Sequence, residues 1–194
     1  DIIDPKGTLI INADDANTQT LDFTKFPGKI LTVGIGKSHD FSASEVKYSV
    51  KGMRFLLHHN NRQYEAYIPG FGEHQVSNAL AAIAATVEVG LTIPQVISQL
   101  STFRQLNKQL QLFEGINGAL VLDDTWSITT TSLAAALNVL TKLAKGKKRI
   151  AIIGTITYPQ TKTGRPSPGA PLFSSTHFPT HQKIRGRRDW TRTN

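Results

Sequence analysis

Gly72-Glu73-His74-Gln75-Val76-Ser77-Asn78-Ala79-Leu80-Ala81-Ala82 is the stretch on which the fold turns. From about Val76 the apolar residues take a helical period, with Leu80, Ile83, Ala84 and Val87 at i, i+3, i+4 and i+7. Gly90 stands where a helix C-cap belongs. Thr92 then opens a second helix with Ile93, Val96, Ile97 and Leu100 on one face.

Upstream the pattern is that of strands. Gly7-Thr8-Leu9-Ile10-Ile11-Asn12 and Lys29-Ile30-Leu31-Thr32-Val33-Gly34 are short apolar runs, which predict buried parallel strands. Ser44–Val50 and Met53–His59 meet at Lys51-Gly52 and predict a hairpin. Gln63–Ile68 adds a third strand, closed by Pro69-Gly70. The fold class is therefore α/β.

Downstream, Gln105 to Gly118 is polar and breaks the periodicity, which places a domain boundary near residues 106 and 107. Beyond it Ala119-Leu120-Val121-Leu122 predicts a buried strand ending in Asp123-Asp124. Thr129-Thr130-Thr131-Ser132 leads into a helix with Leu133, Ala136, Leu137 and Leu140 on one stripe. Arg149-Ile150-Ala151-Ile152-Ile153-Gly154 predicts the next strand, completing a right-handed β-α-β unit, the opening of a doubly wound domain. One crossover cannot bury both faces of a sheet, so this second domain, 107–157, reads as truncated.

Composition narrows the class. The chain has 194 residues, 39% hydrophobic, with no cysteine and a net charge of +8. Disulfide scaffolds and Cys-ligated zinc are excluded, and no apolar run reaches the roughly 18–20 residues that span a bilayer. The start, Asp1-Ile2-Ile3-Asp4-Pro5, lacks an initiator Met and the features of a signal peptide, which suggests a piece of a longer protein. From Tyr158 to Asn194 there are seven basic residues against Asp189 alone, with five of the nine prolines. That tail reads as disordered, or unrelated to the body. Its few aromatics, Phe173, Phe178 and Trp190, argue against nucleic-acid binding.

Several polar groups are candidate sites. Gly34-Ile35-Gly36-Lys37-Ser38 ends like a phosphate-binding loop, but position 31 is Leu and a strand follows, so it reads as a turn. His39 and His58-His59 lack metal-ligand spacing, and Gly115 and Gly118 form a turn. Asp14-Asp15 closes a strand, where either a ligand or a plain turn fits. His74 and Asn78, four residues apart, share one face at a helix start; they can meet a nucleotide base or cap their own helix. Asp124, with Asp123, sits between a strand end and a helix start, where a carboxylate can accept both ribose hydroxyls or cap the helix.

Together these residues resemble the Mur ligase family, ATP-dependent ligases that build the peptide stem of bacterial peptidoglycan. The ordered matches are Ile11-Asn12-Ala13-Asp14-Asp15, Asp40-Phe41-Ser42-Ala43, Gly72 to Ala82, Val121 to Ser127, Ser132 to Leu137 and Arg149 to Gly154. The likeness covers residues 7 to about 157 and is greatest to the branch that adds D-alanyl-D-alanine to a UDP-linked muramoyl tripeptide. Folylpolyglutamate and cyanophycin synthetases are more distant alternatives.

The resemblance implies the second half of a P-loop-type central ATPase domain over 1–106 and the start of a Rossmann-like C-terminal domain over 107–157. It implies ATP and Mg²⁺ as cofactors, and as partners a UDP-linked muropeptide and an amino acid or dipeptide. An acyl-phosphate intermediate, a cytoplasmic location and a monomer are implied as well. Asn78 would contact adenine, His74 would shape its pocket, and Asp124 would bind the ribose. A family Arg that reaches ATP aligns with Gln109, and the family's aromatic-Asn pair is Trp126-Ser127, so Gln109 and Ser127 are possible ATP-proximal positions. The phosphate loop, the Mg²⁺-binding acid and a carbamylated Lys are expected before Asp1, so the resemblance implies no catalytic residue and no metal ligand in this span. The composition change near Thr157 fits a frameshift or false gene end. The expectation is an inactive fragment of a ligase, and the alternative a non-catalytic nucleotide- or partner-binding fragment.

Overall fold

Five strands form one mixed sheet in the order of the sequence. β1 (Thr8–Asn12), β2 (Lys29–Ile35) and β3 (Phe41–Ser49) run parallel, and β4 (Gly52–His59) and β5 (Arg62–Ile68) follow antiparallel. The computed structural model describes residues 4–36, 39–126 and 129–154, so the basic tail lies outside the described residues. The hairpin and the third strand stand where the sequence places them. Asn60 and Asn61, both at positive φ, make the second turn. β1 is only half-buried because it is the sheet edge.

Cross-strand neighbours share a face of a sheet, and the register uses this throughout. Val33 lies beside Phe41, Ala43 beside Leu57, Phe55 beside Ala66, and Met53 beside Ile68. All eight are buried. Helix α2 (Glu73–Glu88) covers them with Val76, Ala79, Leu80, Ile83 and Ala84, and α3 (Ile93–Leu100) adds Ile93 and Val96. Those stripes follow the predicted periodicity. Gly90, at φ +99, follows α2 as its C-terminal stop, and Thr92 opens α3 with Gln95 Oε1 accepting its N–H at 2.9 Å. On the opposite face the Arg54 guanidinium lies 5.6 Å from the Tyr67 ring centre.

The sequence did not predict the bulge in β3. Its register with β4 slips between Ser44 and Lys47, and Glu45 has φ 51. A slip of one residue exchanges the faces of every later side chain. Phe41 and Ala43 point inward before the bulge, and Val46 and Tyr48 do so after it.

Beyond α3 the structure departs from expectation. The polar stretch hides a strand, β6 (Gln111–Glu114), which a 3₁₀ turn (Ile116–Gly118) joins to β7 (Leu120–Asp123) as an antiparallel hairpin. Helix α4 (Thr130–Leu143) follows. The predicted strand Arg149–Gly154 does not form; it has no regular structure, and Ile152 is 97% exposed. A strand requires a neighbour's N–H and C=O groups, and β7 is paired with β6 instead of with this run. The α4 stripe is also rotated: Val139 is the buried residue, flanked by Ala136 and Leu143. It packs with Phe71, Leu110, Leu112 and Leu122 in a second small core. Among the described residues no helix is long and apolar enough to cross a membrane.

Candidate nucleoside site

Helix α2 begins on a glycine because its next turn needs the space. Gly72 has φ +97, and a β-carbon there would lie 2.4 Å from His74 Cε1 and 3.3 Å from Leu110 Cδ1. The imidazole therefore lies over the Gly72 backbone, with Leu110 beside it. Asn78 follows one turn later, exposed, its Nδ2 only 3.4 Å from Gln75 Oε1. No side chain caps the start of α2. The capping alternative for His74 and Asn78 therefore falls.

Leu110 carries the site across to the second core. It is 4% exposed and held at φ 51, a conformation that costs a branched residue of order 1 kcal/mol and persists only under surrounding constraint. The constraint is visible: its N–H donates to Asp124 Oδ1 at 3.1 Å. Two residues on, the Trp126 N–H donates to the Lys108 carbonyl at 3.0 Å. Residues 108–110 and 124–126 are thus tied together beside His74. Asp123 instead accepts the Thr125 N–H at 2.9 Å. Neither acid caps α4, whose first turn is closed by Thr129 and Ser132, each hydroxyl accepting the other residue's N–H at 3.1 Å. The helix-cap alternative for Asp123-Asp124 falls too.

Electrostatics set the protonation of the imidazole. Burial pushes the His74 pKa below its usual value, and the Asp124 carboxylate pulls it only part of the way back. Although its side chain reaches the surface, the shift favours the uncharged imidazole, a polarisable ring with one N–H and one bare nitrogen. Hydrogen bonds from the Thr125 side chain and N–H keep Asp123 below the usual carboxylate range. The donor set is an apolar wall (Gly72, Leu110), a neutral imidazole, an amide that can both donate and accept, and a carboxylate. These are the chemistries that a purine and its ribose require.

The remaining candidates fall into structural roles. Asp14 Oδ2 accepts the Ile35 N–H at 2.5 Å, and Oδ1 lies 3.3 Å from His39 Nε2. Asp15 caps the one-turn helix α1 (Ala16–Gln19) through the N–H groups of Asn17 and Thr18. His58 Nε2 bonds Ser44 Oγ at 2.6 Å, and His59 stacks on Phe41 with ring centres 3.9 Å apart. Gly34–Gly36 leads into β3 without a helix, while Lys37 and Ser38 lie outside the described residues. Gln109 stands next to Leu110 in the turn, its N–H on the Leu106 carbonyl at 3.3 Å. Ser127 lies outside the described residues. Among the described residues no group of three or more His, Asp or Glu could hold a metal ion.

Comparison with known proteins gives a family match. Residues 2–86 match the Mur ligase middle domain. Over 134 residues the chain is 36% identical to UDP-N-acetylmuramoyl-tripeptide--D-alanyl-D-alanine ligase of Haemophilus influenzae, covering 69% of this chain and 29% of that protein. The solved structure of MurF from Acinetobacter baumannii superposes with a TM-score of 0.64 at 26% identity, covering 72% of this chain and 30% of that one. The MurF ligase of Thermotoga maritima in complex with ADP has a TM-score of 0.60 at 15% identity, a likeness of fold; it covers 71% of this chain and 31% of that one. The chain spans less than a third of the length of each.

Proposed function

Because the chain belongs to the Mur ligase family through its middle domain, we propose that it serves an ATP-dependent, amide-forming ligation of peptidoglycan-precursor synthesis, as the part that grips the nucleoside of ATP. The observation that carries this reading is the bond from Leu110 N–H to Asp124, which holds a carboxylate beside His74 at the start of α2. Asn78 supplies the amide that reads the purine edge, His74 the uncharged wall of its pocket, and Asp124 the acceptor for the ribose hydroxyls. ATP, when bound, supplies the phosphoryl group that activates a carboxylate for attack by an amine. Gln109 and Ser127 are proposed to lie near it.

In the same reading, residues 1–106 belong to a central ATPase domain and 107–157 open a C-terminal one. A ligand gripped from both domains couples its binding to their closure. The substrates would be a UDP-linked muropeptide and an amino acid or dipeptide, and the setting the cytoplasm. Phosphoryl transfer needs a phosphate loop and a metal site in addition to this grip, so the 194-residue chain alone is proposed not to ligate.

A fluorescent ATP analogue titrated into the chain and displaced by ATP tests the grip. Affinity should fall at least about tenfold in Asn78→Ala and in Asp124→Asn, the loss expected for one or two hydrogen bonds to a ligand. Absence of ATP-displaceable binding, or wild-type affinity in both variants, would overturn it. Turnover of a UDP-linked muropeptide by the chain alone would overturn the claim that it does not ligate.

A further inference from the structure

Among the described residues, one ion pair fastens helix α4 to another element. Lys142, in its last turn, pairs through Nζ with Oε1 of Glu73, the first residue of α2 and the neighbour of His74. The same ammonium lies 4.9 Å from the centre of the Tyr48 ring, within cation–π range. Tyr48 faces it because the bulge at Glu45 has turned that end of β3 inward. Each charge also suits its own helix, an acid at the N-terminus of α2 and a base at the C-terminus of α4. Burial opposes the charge on Lys142, but the hydrogen bond to Glu73 and the neighbouring Tyr48 outweigh it and raise its pKa.

We propose that Glu73, Lys142 and Tyr48 form a latch that holds α4 against the start of α2. It fixes Asp124, which precedes α4, at the spacing from His74 and Asn78 that a nucleoside needs. The latch rests on the nucleoside reading of that site. Its residues are positioning residues, since none is placed against the ligand. A pair of charges as exposed as this adds little to global stability; its effect falls on the one arrangement that it selects.

A double-mutant cycle on the full chain tests this. Glu73→Gln and Lys142→Met should each weaken the ATP analogue about fivefold, and the double variant should be no weaker than either single. Amide hydrogen exchange within 130–143 should quicken in all three, while amides of β4 and β5 stay as protected as before. Lys29→Met breaks the 2.6 Å pair with Glu88 at the other end of α2 and should leave affinity unchanged. Additive losses, unchanged affinity in the singles, or an equal loss in Lys29→Met would overturn the latch. If the wild-type chain binds no analogue, the nucleoside reading fails, and exchange in α4 alone then decides the latch: faster exchange supports it, and unchanged exchange removes it.

Discussion

The imidazole of His74 fills the space that a side chain on Gly72 would need, its Cε1 2.4 Å and its Nδ1 2.7 Å from the place of that β-carbon. The glycine and the histidine therefore form one device: the first makes room, and the second takes it. Gly72→Ala would meet both a backbone at φ +97 and this overlap. The expected cost is roughly 1–3 kcal/mol in a urea titration, together with a weaker ATP analogue as His74 is displaced.

His74 also gives stability a pH dependence of definite sign. Its pKa is lower in the folded chain than the ordinary value of about 6.5, so between the two values the unfolded chain binds more protons. Stability is therefore fully present above about pH 6.5 and falls as pH drops through the folded-state pKa. Urea midpoints at pH 7.5 and 5.5 should differ less in His74→Gln than in the wild type, and an equal difference would contradict this account.

Asp40 contributes to the acid limb. Its carboxylate accepts the Thr32 N–H and hydroxyl, both at 2.7 Å, and the backbone bond is the main cause of its lowered pKa. Stability from this group is present above the usual carboxylate range and is lost as pH falls through its folded pKa. Asp40→Asn should flatten the urea midpoint below about pH 4 and leave the His74 limb intact.

Core truncations should separate the two apolar clusters from the hairpin's outer face. Leu80 is 0% exposed between α2 and the sheet, so Leu80→Ala should cost about 2–5 kcal/mol. Val121 is 38% exposed on the outer face of β7, and Val121→Ala should stay within about 0.5 kcal/mol. Denaturant midpoints of both variants check the contrast.

Sequence periodicity found the sheet and the two central helices because a single face of each is buried, which leaves a regular signal in Val33, Phe55, Leu80 and Ile83. It missed β6, where Gln111 and Glu114 mask the one inward residue, Leu112. It predicted a strand at Ile150–Ile153 because apolar content alone cannot say whether a pairing partner exists. The bulge at Glu45 gave no warning either, although the move of apolar residues from odd to even positions (Phe41 and Ala43, then Val46 and Tyr48) is its trace. The residues of the proposed site, His74, Asn78 and Asp124, stand out in the sequence by their places at element ends. Leu110 does not: an isolated apolar residue in a polar stretch shows its role only when the structure reveals its φ and its N–H partner.

The central claim is that residues from α2, the turn before β6 and the turn after β7 grip one nucleoside together. Amide chemical shifts of the isotope-labelled chain, recorded as ADP is added, test it most directly. The account predicts saturable shifts confined to Gly72–Leu80, Lys108–Leu110 and Asp123–Trp126, with the β4–β5 hairpin unmoved. Saturable shifts elsewhere, or none at millimolar ADP, would contradict it.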